Sequence, residues 1–164
     1  MEVLVFRHGP AGDKKAWARR GKPDEERPLT PSGRDKTRKA AAGLAALVRS
    51  LDAIVQSPLT RAAQTADLLA EEYPKAERVT LDELEPGVEP ARAAAKLLAL
   101  GFRRVGVVGH EPQLSGVVGE LTGCRELRLE LKKSGACLLS LEAPKPGSAR
   151  LAWLLKPSQL RGLR

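Results

Sequence analysis

Two Val-rich apolar runs, each ended by a histidine, constrain this chain more than any other feature. They are Val3-Leu4-Val5-Phe6-Arg7-His8-Gly9 and Val105-Gly106-Val107-Val108-Gly109-His110-Glu111-Pro112. Continuous apolar strands bounded by Gly or Pro belong in a parallel sheet covered by helices on both faces. In such a sheet the ligand crevice lies at the carboxyl ends of the strands. The chain has only two histidines, and both runs deliver theirs to that edge. An active site built around His8 and His110 is the expectation.

Between the two runs, strand and helix signals alternate. Glu2–Arg7 reads as the first strand, and the polar, Gly/Pro-broken stretch from Gly9 to Leu29 as a loop. Thr30-Pro31 opens a helix, Thr as N-cap and Pro at the first helical position. Ala40, Leu44, Leu47 and Val48 form its apolar face to about Ser50. Asp52–Gln56 is a second strand, and a helix follows from Ser57-Pro58 to about Tyr73. Glu77–Leu81 is a third strand, Glu89-Pro90 to Gly101 brackets a helix, and Arg103–Gly109 is the fourth strand. A short helix from Pro112 ends at Gly123. Gly135–Leu141 and Ala149–Leu155 read as an antiparallel pair, and the alternating Leu127–Leu131 as an edge strand. The expected fold is α/β, a three-layer α/β/α sandwich with a mixed, mostly parallel sheet, in one domain over 1–164.

Composition narrows the partners. The net charge is +8, read first as a solvated basic surface and second as attraction to an anionic partner, nucleic acid or an acidic or phosphorylated protein. Aromatics are 3% of the chain and no nucleic-acid motif is present, so no nucleic acid is expected. No apolar stretch reaches membrane-spanning length and no leader pattern is seen, so the expectation is a cytoplasmic protein without membrane contact. Cys124 and Cys137 lack CxxC spacing, which argues against a disulfide framework or a zinc site. The chain has no Asn and one Met, a thermophile tendency that points to a heat-stable protein.

The loop after the second strand adds the chemistry. It reads Ser57-Pro58-Leu59-Thr60-Arg61-Ala62-Ala63-Gln64-Thr65-Ala66, placing Arg61 in the first turn of a helix at the same sheet edge. Arg7, His8, Arg61 and His110 then form a pocket of two guanidinium forks and two imidazoles with no carboxylate. Guanidinium forks match phosphoryl oxygens, and the set suits no divalent cation. No metal or cofactor is expected. A neutral imidazole is a competent nucleophile at pH 7 once its tautomer is held.

Arg7-His8-Gly9, Ser57-Pro58-Leu59 with Arg61-Ala62 and Gln64-Thr65-Ala66, and Gly109-His110 resemble the signature of the histidine phosphatase superfamily. The resemblance implies the phosphoglycerate mutase-like fold. It also implies His8 as a nucleophile carrying a transient phosphohistidine, with Arg7, Arg61 and His110 binding the phosphoryl group. Phosphoglycerate mutases continue the first motif with an acidic residue, Ser and Asn; here Gly9-Pro10-Ala11-Gly12 follows instead. About twenty residues separate the third and fourth strands, room for one helix and no capping insertion. The short form resembles the bacterial phosphohistidine phosphatase branch, as do Arg27-Pro28-Leu29-Thr30-Pro31-Ser32-Gly33 and Leu81-Asp82-Glu83-Leu84-Glu85-Pro86-Gly87.

That resemblance implies a phosphorylated histidine of a signalling protein as the substrate; the positive charge favours an acidic face on that partner, and a monomer or weak dimer is expected. Glu83 is the candidate proton donor for ester substrates, with Asp82 and Glu85 as rivals; whether Arg27 touches substrate stays open. Two other readings remain: a small-molecule phosphomonoesterase of the same superfamily, and a phosphate-dependent binding module without catalysis.

Overall fold

A computed structural model describes residues 1–124 and 126–163. Six strands form one sheet: β1 (Glu2–Arg7), β2 (Ala53–Gln56), β3 (Glu77–Thr80), β4 (Arg104–Gly109), β5 (Ala136–Leu141) and β6 (Ala149–Leu155). Their order is β3-β2-β4-β1-β5-β6. β1, β2, β3 and β4 pair in parallel, while β5 runs antiparallel to both β1 and β6. The sheet is therefore mixed and mostly parallel, as expected.

Helices cover both faces. On one lie α2 (Pro31–Leu47), α3 (Thr60–Ala70) and α6 (Pro157–Arg161), packed on Leu4, Phe6, Ile54 and Val108. On the other lie α4 (Pro90–Ala99) and α5 (Gln113–Thr122), packed on Val3, Val5, Val55, Val105 and Val107. Val3, Leu4, Val5 and Phe6 are fully buried, which explains why β1 shows no polar alternation. The aromatic-poor core is filled by Leu, Val and Ala, each buried Leu contributing roughly 1.5–3 kcal/mol. The α2–α6 contact needs Gly43, since a Cβ there would stand 1.9 Å from the Leu160 carbonyl oxygen.

Local signals explain most boundaries. Thr30 caps α2, its Oγ1 accepting the Gly33 N–H at 2.9 Å, with Pro31 in the first turn. Gly123 ends α5 in the left-handed region, φ 74°. Three differences stand out. A short helix, α1 (Lys14–Ala18), lies inside the segment read as loop; Asp13 caps it, but none of its residues is buried, so it left no apolar period. α6 follows β6 and hangs on the single buried Leu160. Leu127–Leu131 forms no strand: Leu127, Leu129 and Leu131 pack on the core, but the Leu131 carbonyl oxygen accepts the Arg7 guanidinium instead of a ladder N–H. Both cysteines are free thiols. No helix among the described residues is long and apolar enough to cross a membrane.

Candidate active site

Sheet register brings the two histidines together. β1 and β4 are neighbours, and Arg7 pairs with Gly109. The next residue in each chain segment passes the sheet edge; the His8 N–H donates to the Gly109 carbonyl oxygen at 3.0 Å. α2 covers one face and α5 the other, which opens a crevice at the carboxyl ends. The two rings lie there with centroids 5.0 Å apart, tilted by 52°. His8 is 6% exposed and His110 3%.

Each ring is held differently. His8 Nδ1–H donates to the Gly9 carbonyl oxygen at 2.7 Å, which selects the tautomer with a lone pair on Nε2. Gly9 is itself pinned: its N–H donates to Thr65 Oγ1 at 3.0 Å, and a Cβ there would stand 2.1 Å from Thr37 Oγ1. Only glycine fits under α2 at this point. His110 Nε2 meets the buried Ser57 Oγ at 2.9 Å, and its buried Nδ1 has no partner among the described residues. The Ser134 N–H donates to the Arg7 and His8 carbonyl oxygens at 3.1 and 3.3 Å, so the loop before β5 latches the end of β1.

The guanidiniums are anchored from behind. Arg7 Nη1 donates to the Leu131 carbonyl oxygen at 2.7 Å. Arg61, in the first turn of α3, donates from Nη1 to the Asp24 carbonyl oxygen at 2.8 Å, and its Nη2 pairs with Asp24 Oδ2 at 3.2 Å. Asp24 also takes Arg27 Nε on Oδ1 at 2.8 Å, while Arg27 Nη1 holds the Gly12 carbonyl oxygen at 2.7 Å. The buried Nε atoms of Arg7 and Arg61 have no partner among the described residues. A network with buried donors left over is what an oxyanion satisfies.

Burial and neighbouring cations keep both imidazoles neutral. Burial is the main cause for His8, with Arg61, Arg7 and Lys133 adding to it against the Gly9 hydrogen bond; its pKa falls to about 4. His110 falls to about 3, from burial first and then from His8, Arg61 and Arg7. The unfolded chain binds a proton on each below about pH 6.5, the folded chain only near the lower values. Stability from these groups is thus complete above about pH 6.5. It declines as pH falls from there toward 4, by at most about 1.4 kcal/mol per unit for each ring. Long-range nitrogen NMR at pH 5.5 should show both rings neutral and His8 carrying its proton on Nδ1. A His8 midpoint near 6.5 would contradict the buried geometry.

Glu83 lies in a 3-10 turn, Asp82–Leu84, after the edge strand β3. That turn is tied to the His110 segment, since Gln113 Nε2 donates to the Glu83 carbonyl oxygen at 2.8 Å. Asp82 is exposed; Glu83 and Glu85 are half-buried. Four contributors were given no role by the sequence, although Ser57 opens one of its motifs and Glu111 follows His110. Ser57 holds His110, Asp24 bridges Arg27 and Arg61, and Lys133 stands close enough to Arg7, Arg27 and Arg61 for their charges to lower its pKa after burial. Glu111, next to His110, is half-buried and pushed up by burial; Ser115 Oγ–H donates to its Oε2. For Lys133 the run Lys132-Lys133-Ser134-Gly135, a basic turn before a strand, offers a hint. Among the described residues no group of three or more His, Cys, Asp or Glu is placed to hold a metal ion.

The model of the histidine phosphatase superfamily (branch 1) matches residues 3–99, which include Arg7, His8, Arg61 and Glu83. An uncharacterized protein of Picosynechococcus sp. is 33% identical over 159 residues, 92% of this chain and 88% of its own length. Phosphohistidine phosphatase SixA of Escherichia coli is 29% identical over 166 residues, covering 98% of this chain and 97% of that one. The solved structure of the protein histidine phosphatase SixA complexed with tungstate matches with a TM-score of 0.84. It is 28% identical and covers 98% of this chain and 99% of that chain.

Proposed function

The chain belongs to the histidine phosphatase superfamily (branch 1), and from that premise we propose that it hydrolyses a protein phosphohistidine through a phospho-His8 intermediate. The observation that carries this reading is the pair of neutral imidazoles 5.0 Å apart, flanked by Arg7 and Arg61, with the His8 lone pair on Nε2. That nitrogen attacks phosphorus as the P–N bond to the substrate imidazole breaks. Arg7, Arg61 and His110 hold the equatorial oxygens and offset the developing charge. Water then breaks the P–Nε2 bond. Over the cycle the water hydroxyl ends on phosphorus, and its proton replaces the phosphoryl group on the departing imidazole. Residues 1–164 work as one catalytic domain in this scheme.

Three findings support the substrate class. The similar SixA structure is a complex with tungstate, a tetrahedral oxyanion of the kind this pocket suits. Between β3 and β4 the only helix of more than three residues is α4, so that connection adds no cap over a protein-borne phosphohistidine. The net charge of +8 favours an acidic partner face. Cytoplasmic signalling, by a monomer or weak dimer, is the setting we propose. Kinetics on a phosphohistidine protein beside a panel of sugar and nucleotide phosphate esters test the assignment. It expects kcat/KM at least about tenfold higher on the phosphohistidine, a 1.4 kcal/mol preference. A higher value on any ester would favour the small-molecule phosphatase.

Glu83 is the proposed proton donor where the leaving group is an alkoxide. A protonated imidazole leaves far more readily and needs less help. Glu83→Gln should therefore slow ester hydrolysis roughly 10²-fold and phosphohistidine hydrolysis much less. Equal losses on both substrates would remove Glu83 from that role.

A further inference from the structure

The phosphate pocket has a basic lip that the chemistry above does not use. Between Asp13 and Pro23 the chain carries five cations, Lys14, Lys15, Arg19, Arg20 and Lys22, against the single carboxylate of Asp13. All five are exposed, and α1, at the centre of this segment, buries no residue. Core packing therefore does not account for the segment. Within it sits Trp17, unusual in a chain with two Trp. Its indole N–H donates to the Pro23 carbonyl oxygen at 2.8 Å, and Lys22 Nζ lies 5.2 Å from its ring centroid.

Beneath this lip runs a groove of about 330 Å³, lined by Ala16, Trp17, Arg20, Pro28, Leu29 and Pro31 among others. Gly12 and Leu29 join its wall to the loop that follows His8. Leu29 Cδ2 lies 3.3 Å from where a Cβ of Gly9 would stand, and the Leu29 N–H donates to Gln64 Oε1 at 2.9 Å. Arg27, tied to Asp24 and through it to Arg61, holds the Gly12 carbonyl oxygen on the groove wall. A ligand seated in the groove therefore rests on the loop that follows His8.

We propose that this lip and groove dock the phosphoprotein substrate, seating one apolar side chain of an acidic segment against Trp17 while its flanking carboxylates meet Arg20 and the neighbouring lip cations. The proposal rests on the phosphoprotein reading above and deepens it. Charge complementarity selects an acidic partner, and the proline, leucine and indole walls select an apolar anchor. Nucleic acid fits less well, because the lip offers one aromatic ring and no stacking array.

Two variants outside the phosphate pocket test it: Arg20→Glu, which reverses a groove charge, and Ala16→Gln, which fills the groove with a neutral side chain from an exposed helical position. The substrates are phosphoramidate and two synthetic peptides carrying one phosphohistidine each. One peptide has a Glu-flanked Leu segment, the other Lys in place of each Glu. On the unaltered protein the acidic peptide should show a KM about tenfold lower than the Lys peptide. Both variants should reduce that gap to about twofold while leaving kcat/KM on phosphoramidate within about twofold.

The unphosphorylated acidic peptide should also shift the Trp17 indole N–H signal, a readout independent of hydrolysis. An equal gap in the unaltered protein and both variants, or an unmoved indole signal, overturns the docking surface. So does an indole signal that responds to an oligonucleotide and not to the peptide. Failure to turn over phosphoramidate would instead strike the phosphatase reading, with the indole shift still reporting on docking.

Discussion

His8→Ala should lose turnover by roughly 10⁴-fold or more while the protein stays folded. The loss is large because the Gly9 hydrogen bond fixes the His8 tautomer with its lone pair on Nε2. His110 lies 5.0 Å away by ring centroid, but its Nε2 is engaged with Ser57 Oγ. What survives the substitution is the electrostatic contribution of Arg7, Arg61 and His110, which still favours attack by water over the uncatalysed reaction. Folding should be affected modestly. The truncation removes one hydrogen bond, to Gly9, and leaves a small cavity at the sheet edge, together about 1–3 kcal/mol. The Gly9 N–H keeps its bond to Thr65. Initial rates and a thermal melt on the same preparation check both halves. Residual hydrolysis near that of the unaltered protein, in a folded variant, would take the nucleophile away from His8.

Arg61→Ala carries the second large effect, a drop in kcat/KM of about 10³-fold, within the range for a guanidinium that stabilises a transferring phosphoryl group. Arg61 is 5% exposed and clamped from behind by the carbonyl and carboxylate of Asp24. The fork is thus held rigidly rather than ordered at each encounter. Arg61→Lys should recover less than a tenth of the loss, because an ammonium keeps the charge but not the paired donors. Competition by inorganic phosphate reads the ground state separately: its inhibition constant should rise in both variants, by less than the fall in kcat/KM. A loss below tenfold, or one matched entirely by weaker phosphate binding, would make Arg61 a ground-state ligand only.

How much of this site could be read from residues alone depended on where its parts lie. His8 and His110 follow fully buried parallel strands, whose unbroken apolar pattern is the strongest signal a strand can give, and register alone sets them side by side. Arg61 follows a third such strand and opens a helix with a recognisable start. The residues that hold these groups come from elsewhere. Asp24 sits in an exposed acidic turn and Lys133 in a basic one, and neither turn has a periodicity to read. Their relevance comes from long-range packing onto α3 and β1. The same reason explains α1, which buries nothing. It also explains Leu127–Leu131, whose alternation reflected core packing by three leucines and not pairing in the sheet.

Phospho-His8 itself is the most direct thing to look for. Phosphoramidate labelled with ³²P is mixed with the protein and quenched in alkali within milliseconds, where phosphohistidine survives, and the labelled peptide is sequenced by mass spectrometry. Label should be found on His8 and nowhere else, disappear on a chase with unlabelled substrate, and be absent from His8→Ala. Turnover without any alkali-stable label, or label on His110 in place of His8, would contradict the covalent route.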